Sequence, residues 1–302
     1  MSTSYHVAVI GLGAMGMGAA RSCLRAGLTT YGIDLSEQAR SQLQQAGAAA
    51  VMADARPLAE TLDAVLLLVV NAVQVRRILL GDEGLARHLK PGTAIMVSST
   101  IAAEEASALA AELAQLGLPM LDAPVSGGAI KADAGEMTVM AAGADAAFDK
   151  LAPVLDAVAG KLYRVGSEPG QGSTVKIIHQ LLAGVHIAVA AEAMALASRA
   201  GVPLDLMYDV VTHAAGNSWM FENRMPRVLT GDYQARSAVD IFVKDLTLVA
   251  DTAKALRFPL PLASTALNMF LSASNAGHGQ EDDSAVIKTF SGITLPGQEE
   301  RP

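Results

Sequence analysis

Residues 7–18 read VAVIGLGAMGMG, and this stretch decides the fold. Val7, Val9 and Ile10 are the β-branched core of a short strand. Gly11, Gly13 and Gly16 follow at once in G-x-G-x-x-G spacing, and the chain then becomes helical in pattern. Glycines at that spacing permit a tight turn and let a pyrophosphate approach backbone N–H groups at the positive end of a helix. The spacing alone is a weak signal, and the strand–turn–helix context strengthens it. Leu12, Ala14 and Met15 complete the turn, so residues 11–16 together are the expected dinucleotide-binding segment.

Working outward, short apolar runs alternate with helical patterns as far as residue 166. HVAVIGLG, TTYGID, AVLLLVV, AIMVSS and PMLDAPV read as strands, with amphipathic segments between them. Continuous apolar strands joined by helices imply a parallel sheet covered on both faces, a doubly wound α/β domain. MTVMAAG and KLYRVG flank one more helix and are expected to extend the sheet. Past Gly166 the strands stop at the break GSEPGQGS, with Ser173 expected to cap a helix running to about Ala200. Such a helix would be about 40 Å long. Helical segments follow at 203–214, 219–229, 237–256 and 260–276. The expected organisation is therefore a dinucleotide-binding domain over 1–166 and an all-α domain over 167–302, built on one long interdomain helix.

A chain of 302 residues with 51% hydrophobic and 17% charged residues has ample core and is not disordered. A formal net charge of −8 and the lack of any long basic run argue against nucleic acid as a partner. Cys23 is the single cysteine, so a reducing compartment is expected, with Cys23 as a small buried hydrophobe. The start MSTSYHVAVIGLG lacks a basic secretory leader, and the apolar runs AVLLLVV and LLAGVHIAVAA fall short of the roughly 18 residues of a spanning helix. A soluble, cytoplasmic protein without membrane contact is expected. The apolar second half suggests that copies associate through it as a dimer or tetramer.

Chemistry is concentrated at a few places. Asp34 ends the second strand 18 residues after Gly16, where a carboxylate accepts hydrogen bonds from an adenosine ribose and repels a 2′-phosphate. The next residues are Leu35, Ser36 and Glu37, so no arginine follows immediately, and NAD is expected over NADP. Val69, Val70 and Asn71 close the AVLLLVV strand, and Ser98, Ser99 and Thr100 close the next, at the carboxyl edge where such sheets hold ligands. A helix cap would explain one of those three hydroxyls. Ser126, Gly127 and Gly128 offer a hydroxyl beside two unencumbered N–H groups, suited to a carboxylate.

The run VKIIHQLLAG at 175–184 sets Lys176, His179 and Gln180 in oily surroundings. Lys176 and Gln180, four apart, share a helix face, with His179 at its flank. Burial disfavours the charged form of any lysine, which suits proton exchange near neutral pH. A cleft between domains is the usual place for a small-molecule site. His179 and His186 lack a third ligand at helical spacing, so no metal is expected. Lys244 and Asp245 sit inside another apolar helix, where pairing with other helices is the plainer account. Asn217, Ser218 and Trp219 either line a pocket or join two helices.

GLGAMG, DAPVSGG, GQGSTVKIIHQ and VKDL occur in an order that resembles the β-hydroxyacid dehydrogenase family, relatives of 3-hydroxyisobutyrate and 6-phosphogluconate dehydrogenases. The resemblance covers nearly the whole chain. It implies an NAD-dependent dehydrogenase with Lys176 as the catalytic acid/base and Ser126, Gly127 and Gly128 as the carboxylate site. Thr100 and Lys244 would lie near the cofactor. The family usually carries asparagine four residues after its lysine, whereas this chain has Gln180, so the pocket should differ from the hydroxyisobutyrate type. His179 matches the pattern of the 6-phosphogluconate enzymes. KIIHQLLAGVHIA, HAAGNSWMFENRM and SAVDIFVKDL resemble the branch that oxidises C2 of the four-carbon sugar acid L-threonate. On that resemblance Gln180, His179 and Asn217 would bind distal hydroxyls. Tartronate semialdehyde reduction and 3-hydroxyisobutyrate oxidation are the alternatives with the same chemistry, and an inactive cofactor-binding protein is the alternative from another class.

Overall fold

The computed structural model describes residues 4–296. The chain divides into two compact units, Met1–Lys176 and Ile177–Pro302.

In the first unit β1 (His6–Ile10) leads through the glycine turn into α1 (Ala14–Arg25). β2 (Thr29–Ile33), α2 (Glu37–Gln45), β3 (Ala50–Met52), β4 (Ala64–Leu67), α3 (Ala72–Leu80), β5 (Ala94–Val97), α4 (Ala103–Gln115) and β6 (Met120–Asp122) follow. The strands lie in the order 3-2-1-4-5-6, all parallel, which is the doubly wound arrangement. The side-chain period of two sends alternate residues of the central strands into two separate cores. Val7, Val9, Leu66 and Met96 point into one core with Ala20, Cys23 and Leu151. Ala8, Ile10, Leu67 and Val97 point into the other with Leu79, Leu109 and Leu113. A strand buried on both faces cannot alternate with polar residues. Cys23 is fully buried, which pushes its thiol up to about 12.

The sheet continues beyond the parallel part. β7 (Val125–Ser126), α5 (Gly128–Ala134), β8 (Met137–Ala142), α6 (Asp145–Val158) and β9 (Ala159–Gly166) complete this unit. β8 runs antiparallel to β6 and β7 and parallel to β9. The sheet is thus extended as expected, with a reversal of direction that the apolar patterns did not carry.

α7 (Gln171–Arg199) is a single helix of 29 residues, and the boundary between the units falls within it. The second unit adds α8 (Leu204–Thr212), α9 (Trp219–Thr230), α10 (Val239–Ala255) and α11 (Pro261–Ala273). A 3₁₀ segment at Asp283–Thr289 follows, and its buried Ala285, Val286 and Ile287 join Ile187, Met194, Phe242 and Phe270 in the core. Two expectations are corrected here. α7 contains an 18-residue window of mean hydropathy 1.7, so by length and composition it is long and apolar enough to cross a membrane. Half of that window is buried inside the protein, the situation of a core helix. Ser173 is not the cap of α7, because it lies inside the first turn. The capping group is Asp122, at the end of β6.

Candidate functional site

The glycine turn is closed by contacts that only glycine allows at two of its three positions. Gly11 has φ +92°, and a Cβ there would sit 2.7 Å from the Leu68 carbonyl oxygen. A Cβ on Gly16 would overlap the Gly11 carbonyl oxygen. At Gly13 a Cβ would meet no protein atom within 4 Å. Gly13 therefore lacks a reason within the fold, and space for a pyrophosphate beside the backbone supplies one. Leu12 is buried in the core and Met15 packs partly against it, so the turn presents backbone at those positions. Ala14 is exposed.

Asp34 follows β2, and its carboxylate is set by two backbone donors. The Leu12 N–H donates to Oδ2 and the Ser36 N–H to Oδ1, each at 2.7 Å. Each oxygen retains acceptor capacity for ribose hydroxyls. Arg40, six residues on, was not part of the sequence reading. α2 brings it back so that Nη1 donates to the Asp34 and Leu35 carbonyls. Its signal was the helical spacing from the Ser36 cap, which no motif spells out.

At the carboxyl ends of the next strands the expected residues have separate duties. Asn71 caps α3 by accepting from the Gln74 N–H at 2.9 Å, and the Val70 N–H donates to the Gln74 side chain at 2.8 Å. Val69 packs partly into the core. None of the three hydroxyls after β5 caps α4, whose N-cap is Ala102. Ser98 and Ser99 are buried, and among the described residues their hydroxyls find no hydrogen-bond partner. Thr100 is half-buried beside them. The open space at Gly13, at the carboxyl edge of the sheet, fits the pyrophosphate of a dinucleotide.

Ser126 ends β7, and Gly127 and Gly128 have φ +134° and +71°. A Cβ on Gly127 would press against the Lys131 side chain at 2.8 Å, whereas one on Gly128 would point into open space.

The start of α7 is held by a residue that the sequence reading missed. Asp122 is fully buried. Its Oδ2 accepts from the Gly170 N–H at 2.8 Å and the Ser173 N–H at 2.7 Å, and its Oδ1 accepts from the Ser173 hydroxyl at 2.7 Å. It thus caps the helix from 51 residues upstream. Burial raises its pKa above the ordinary carboxylate value, against the pull of these hydrogen bonds. A Cβ on Gly172 would strike the Asp122 and Met140 carbonyl oxygens, so this turn lies tight on the sheet. Lys176, 5% exposed, follows less than one helical turn after Ser173.

In the second unit the polar residues of α7 belong to a network. Gln180 is buried, and its Nε2 donates to Oδ2 of Asp245. Asp245 Oδ1 accepts from Lys244 Nζ at 2.6 Å, and Gln180 Oε1 lies 3.0 Å from His179 Nδ1. Both ends of the Gln180 amide are therefore engaged by neighbouring side chains. Asn217 is half-buried, and its Oδ1 has no partner among the described residues. Ser218 caps α9 through the Phe221 N–H at 3.1 Å, and Trp219 is exposed. No group of three or more His, Cys, Asp or Glu side chains is placed to hold a metal ion among the described residues.

Residues 6–166 match the family described as the NAD binding domain of 6-phosphogluconate dehydrogenase. Residues 170–290 match the NAD-binding region of NADP-dependent 3-hydroxyisobutyrate dehydrogenase. An L-threonate dehydrogenase from Escherichia coli O6:H1 is 72% identical over 98% of both chains. One from Cupriavidus necator is 55% identical over 98% of this chain and all of that one. A crystal structure described as 3-hydroxyisobutyrate dehydrogenase from Salmonella typhimurium superposes with a TM-score of 0.92 at 70% identity, covering 95% of this chain and all of that one. With the glycine turn, the doubly wound sheet and the helical second unit, these matches place the chain in the β-hydroxyacid dehydrogenase family, as an NAD-dependent oxidoreductase.

Proposed function

We propose that this enzyme oxidises a small polyhydroxy acid, L-threonate, at C2 to 2-dehydro-L-erythronate. The observation that carries the reading is the polar cluster of His179, Gln180 and Asp245 in otherwise apolar helices. Such a cluster holds a polar histidine ring in apolar surroundings, which suits a substrate bearing hydroxyls and gains nothing from the methyl group of 3-hydroxyisobutyrate. The names of the full-length relatives support the same substrate, while the name given to the Salmonella structure favours the hydroxyisobutyrate alternative.

On this reading Ser126 and the N–H groups of Gly127 and Gly128 bind the substrate carboxylate. Lys176 takes the C2 hydroxyl proton, His179 and Asn217 meet the distal hydroxyls, and Gln180, whose amide is engaged by Asp245 and His179, acts on the substrate through the His179 ring. NAD, when bound, accepts the hydride released from C2. Residues 11–16, Asp34, Val69, Val70, Asn71, Thr100 and Lys244 contact the cofactor, and the Asp34 charge disfavours a 2′-phosphate. Residues 1–166 carry the nucleotide site and 167–302 shape the substrate site. The exposed apolar side chains Ile178, Leu182, Val189 and Leu196 along α7 support association of copies as a dimer or tetramer.

NADH formation across a panel of sugar acids and hydroxy acids tests the substrate. Four-carbon sugar acids should give the higher kcat/KM, and a better rate with 3-hydroxyisobutyrate would overturn the assignment. Lys176→Met tests the acid/base, since loss of general acid–base catalysis costs about 10²–10⁴-fold. A folded, NAD-binding variant with turnover within a few-fold of native would remove Lys176 from the reaction.

A further inference from the structure

We infer that Asp245 is a positioning residue which, through the Gln180 amide, holds the His179 ring as its Nδ1–H tautomer and so presents Nε2 as a hydrogen-bond acceptor. Lys244 Nζ donates to Asp245 Oδ1 at 2.6 Å, and Asp245, 2% exposed, takes the Gln180 amide on its other oxygen. A carboxylate only accepts, so Gln180 must turn its NH₂ toward Asp245. That turns Oε1 toward His179 Nδ1, 3.0 Å away. An amide oxygen also only accepts, so Nδ1 must carry the hydrogen. The proton on one ring nitrogen determines what the other can do, and the neutral ring keeps its lone pair on Nε2. This is the opposite of the tautomer that an unconstrained histidine side chain prefers.

Gln180 then has a different duty from contacting the substrate itself. Both of its polar ends are spent on neighbours, and its effect on specificity passes through His179. This step rests on the reading that His179 meets the substrate. An Nε2 acceptor recognises an acid with a hydroxyl donor next to the reacting carbon, and it gives nothing to one with a methyl or hydrogen there.

Two-bond ¹H–¹⁵N correlation spectra of the full-length enzyme with ¹⁵N-labelled histidine read the tautomer directly. The His179 resonances are identified by their loss in His179→Asn. The native enzyme should show the Nδ1–H pattern for the neutral ring. Gln180→Leu should return it to Nε2–H, and Asp245→Leu should mix the two by letting the amide turn over. An Nε2–H ring in the native enzyme overturns the inference, as does an Nδ1–H ring that survives in Gln180→Leu. If the variants do not fold, as judged by melting, the native spectrum decides alone. Kinetics separate this from the substrate assignment. Asp245→Leu should raise KM at least tenfold for four-carbon sugar acids and little for the analogue lacking the second hydroxyl. An equal rise for both, with the expected tautomer, overturns the substrate role of His179 and leaves the tautomer assignment standing.

Discussion

Removing the carboxylate of Asp122 should unseat the first turn of α7. In Asp122→Ala the Gly170 and Ser173 N–H groups lose their acceptor while remaining buried. The Ser173 hydroxyl can rotate toward another acceptor and adds little. Each unsatisfied buried donor costs about 1–3 kcal/mol, so the pair costs roughly 2–6 kcal/mol. For a chain of this size that lowers Tm by on the order of 10 °C. Turnover should fall as well, because Lys176 is positioned from this turn. Asp122→Asn is the informative partner. Its amide oxygen can keep both backbone donors, and its NH₂ can donate to the Ser173 hydroxyl, reversing that one bond. It should melt within a few degrees of native.

The pH dependence has a definite sign. Burial raises the Asp122 pKa in the folded chain, so the folded state holds this proton more tightly than the unfolded state. The contribution to stability is fully present below the ordinary value of 3.8 and is lost as pH rises through the raised one. Melting of the native enzyme relative to Asp122→Asn should therefore shift in the variant's favour between acid and neutral pH. Calorimetry across that range, with NADH formation measured on the same samples, checks both parts. An alanine variant that melts within 2 °C of native, taking ~2 °C as the smallest shift expected per kcal/mol, would refute the capping argument.

Gly13→Ala meets no protein atom, so its Tm should stay near native while NAD affinity drops at least tenfold, about 1.4 kcal/mol; unchanged NAD titrations would show that the cofactor does not approach there. Gly16→Ala should instead lower stability, because its Cβ overlaps the Gly11 carbonyl oxygen. Asp34→Ala removes hydrogen-bonded charge worth roughly 1.5–3 kcal/mol, so NAD should weaken by about 10-fold to over 100-fold while NADP is less disfavoured. Equal use of both cofactors by the native enzyme would sink that assignment. In the second unit Arg224 grips the fully buried Asp283 with two hydrogen bonds at 2.7 and 3.0 Å. Asp283→Ala strands the guanidinium and should cost about 3–5 kcal/mol in chemical denaturation, whereas a loss below about 1 kcal/mol would mean that the pair is not desolvated.

The glycine spacing, the apolar strands and the acidic end of β2 determined the doubly wound domain and its cofactor, because each depends on residues close together in the chain. The long helix was legible for the same reason, and Lys176, His179 and Gln180 stood out against its apolar composition. The helix cap was not legible. A Ser at the right place in sequence was preempted by Asp122, which β6 delivers to the same N–H groups from 51 residues away. Nor could periodicity give the antiparallel direction of β8, since an apolar strand reads the same in either direction. Arg40 reached its partners through a helix turn, and helix packing brought Asp245 to Gln180 from 65 residues away. Local sequence sets which groups are present and what each can donate or accept. Only tertiary structure decides which donor meets which acceptor, because a buried polar group takes whichever partner the packing brings within reach.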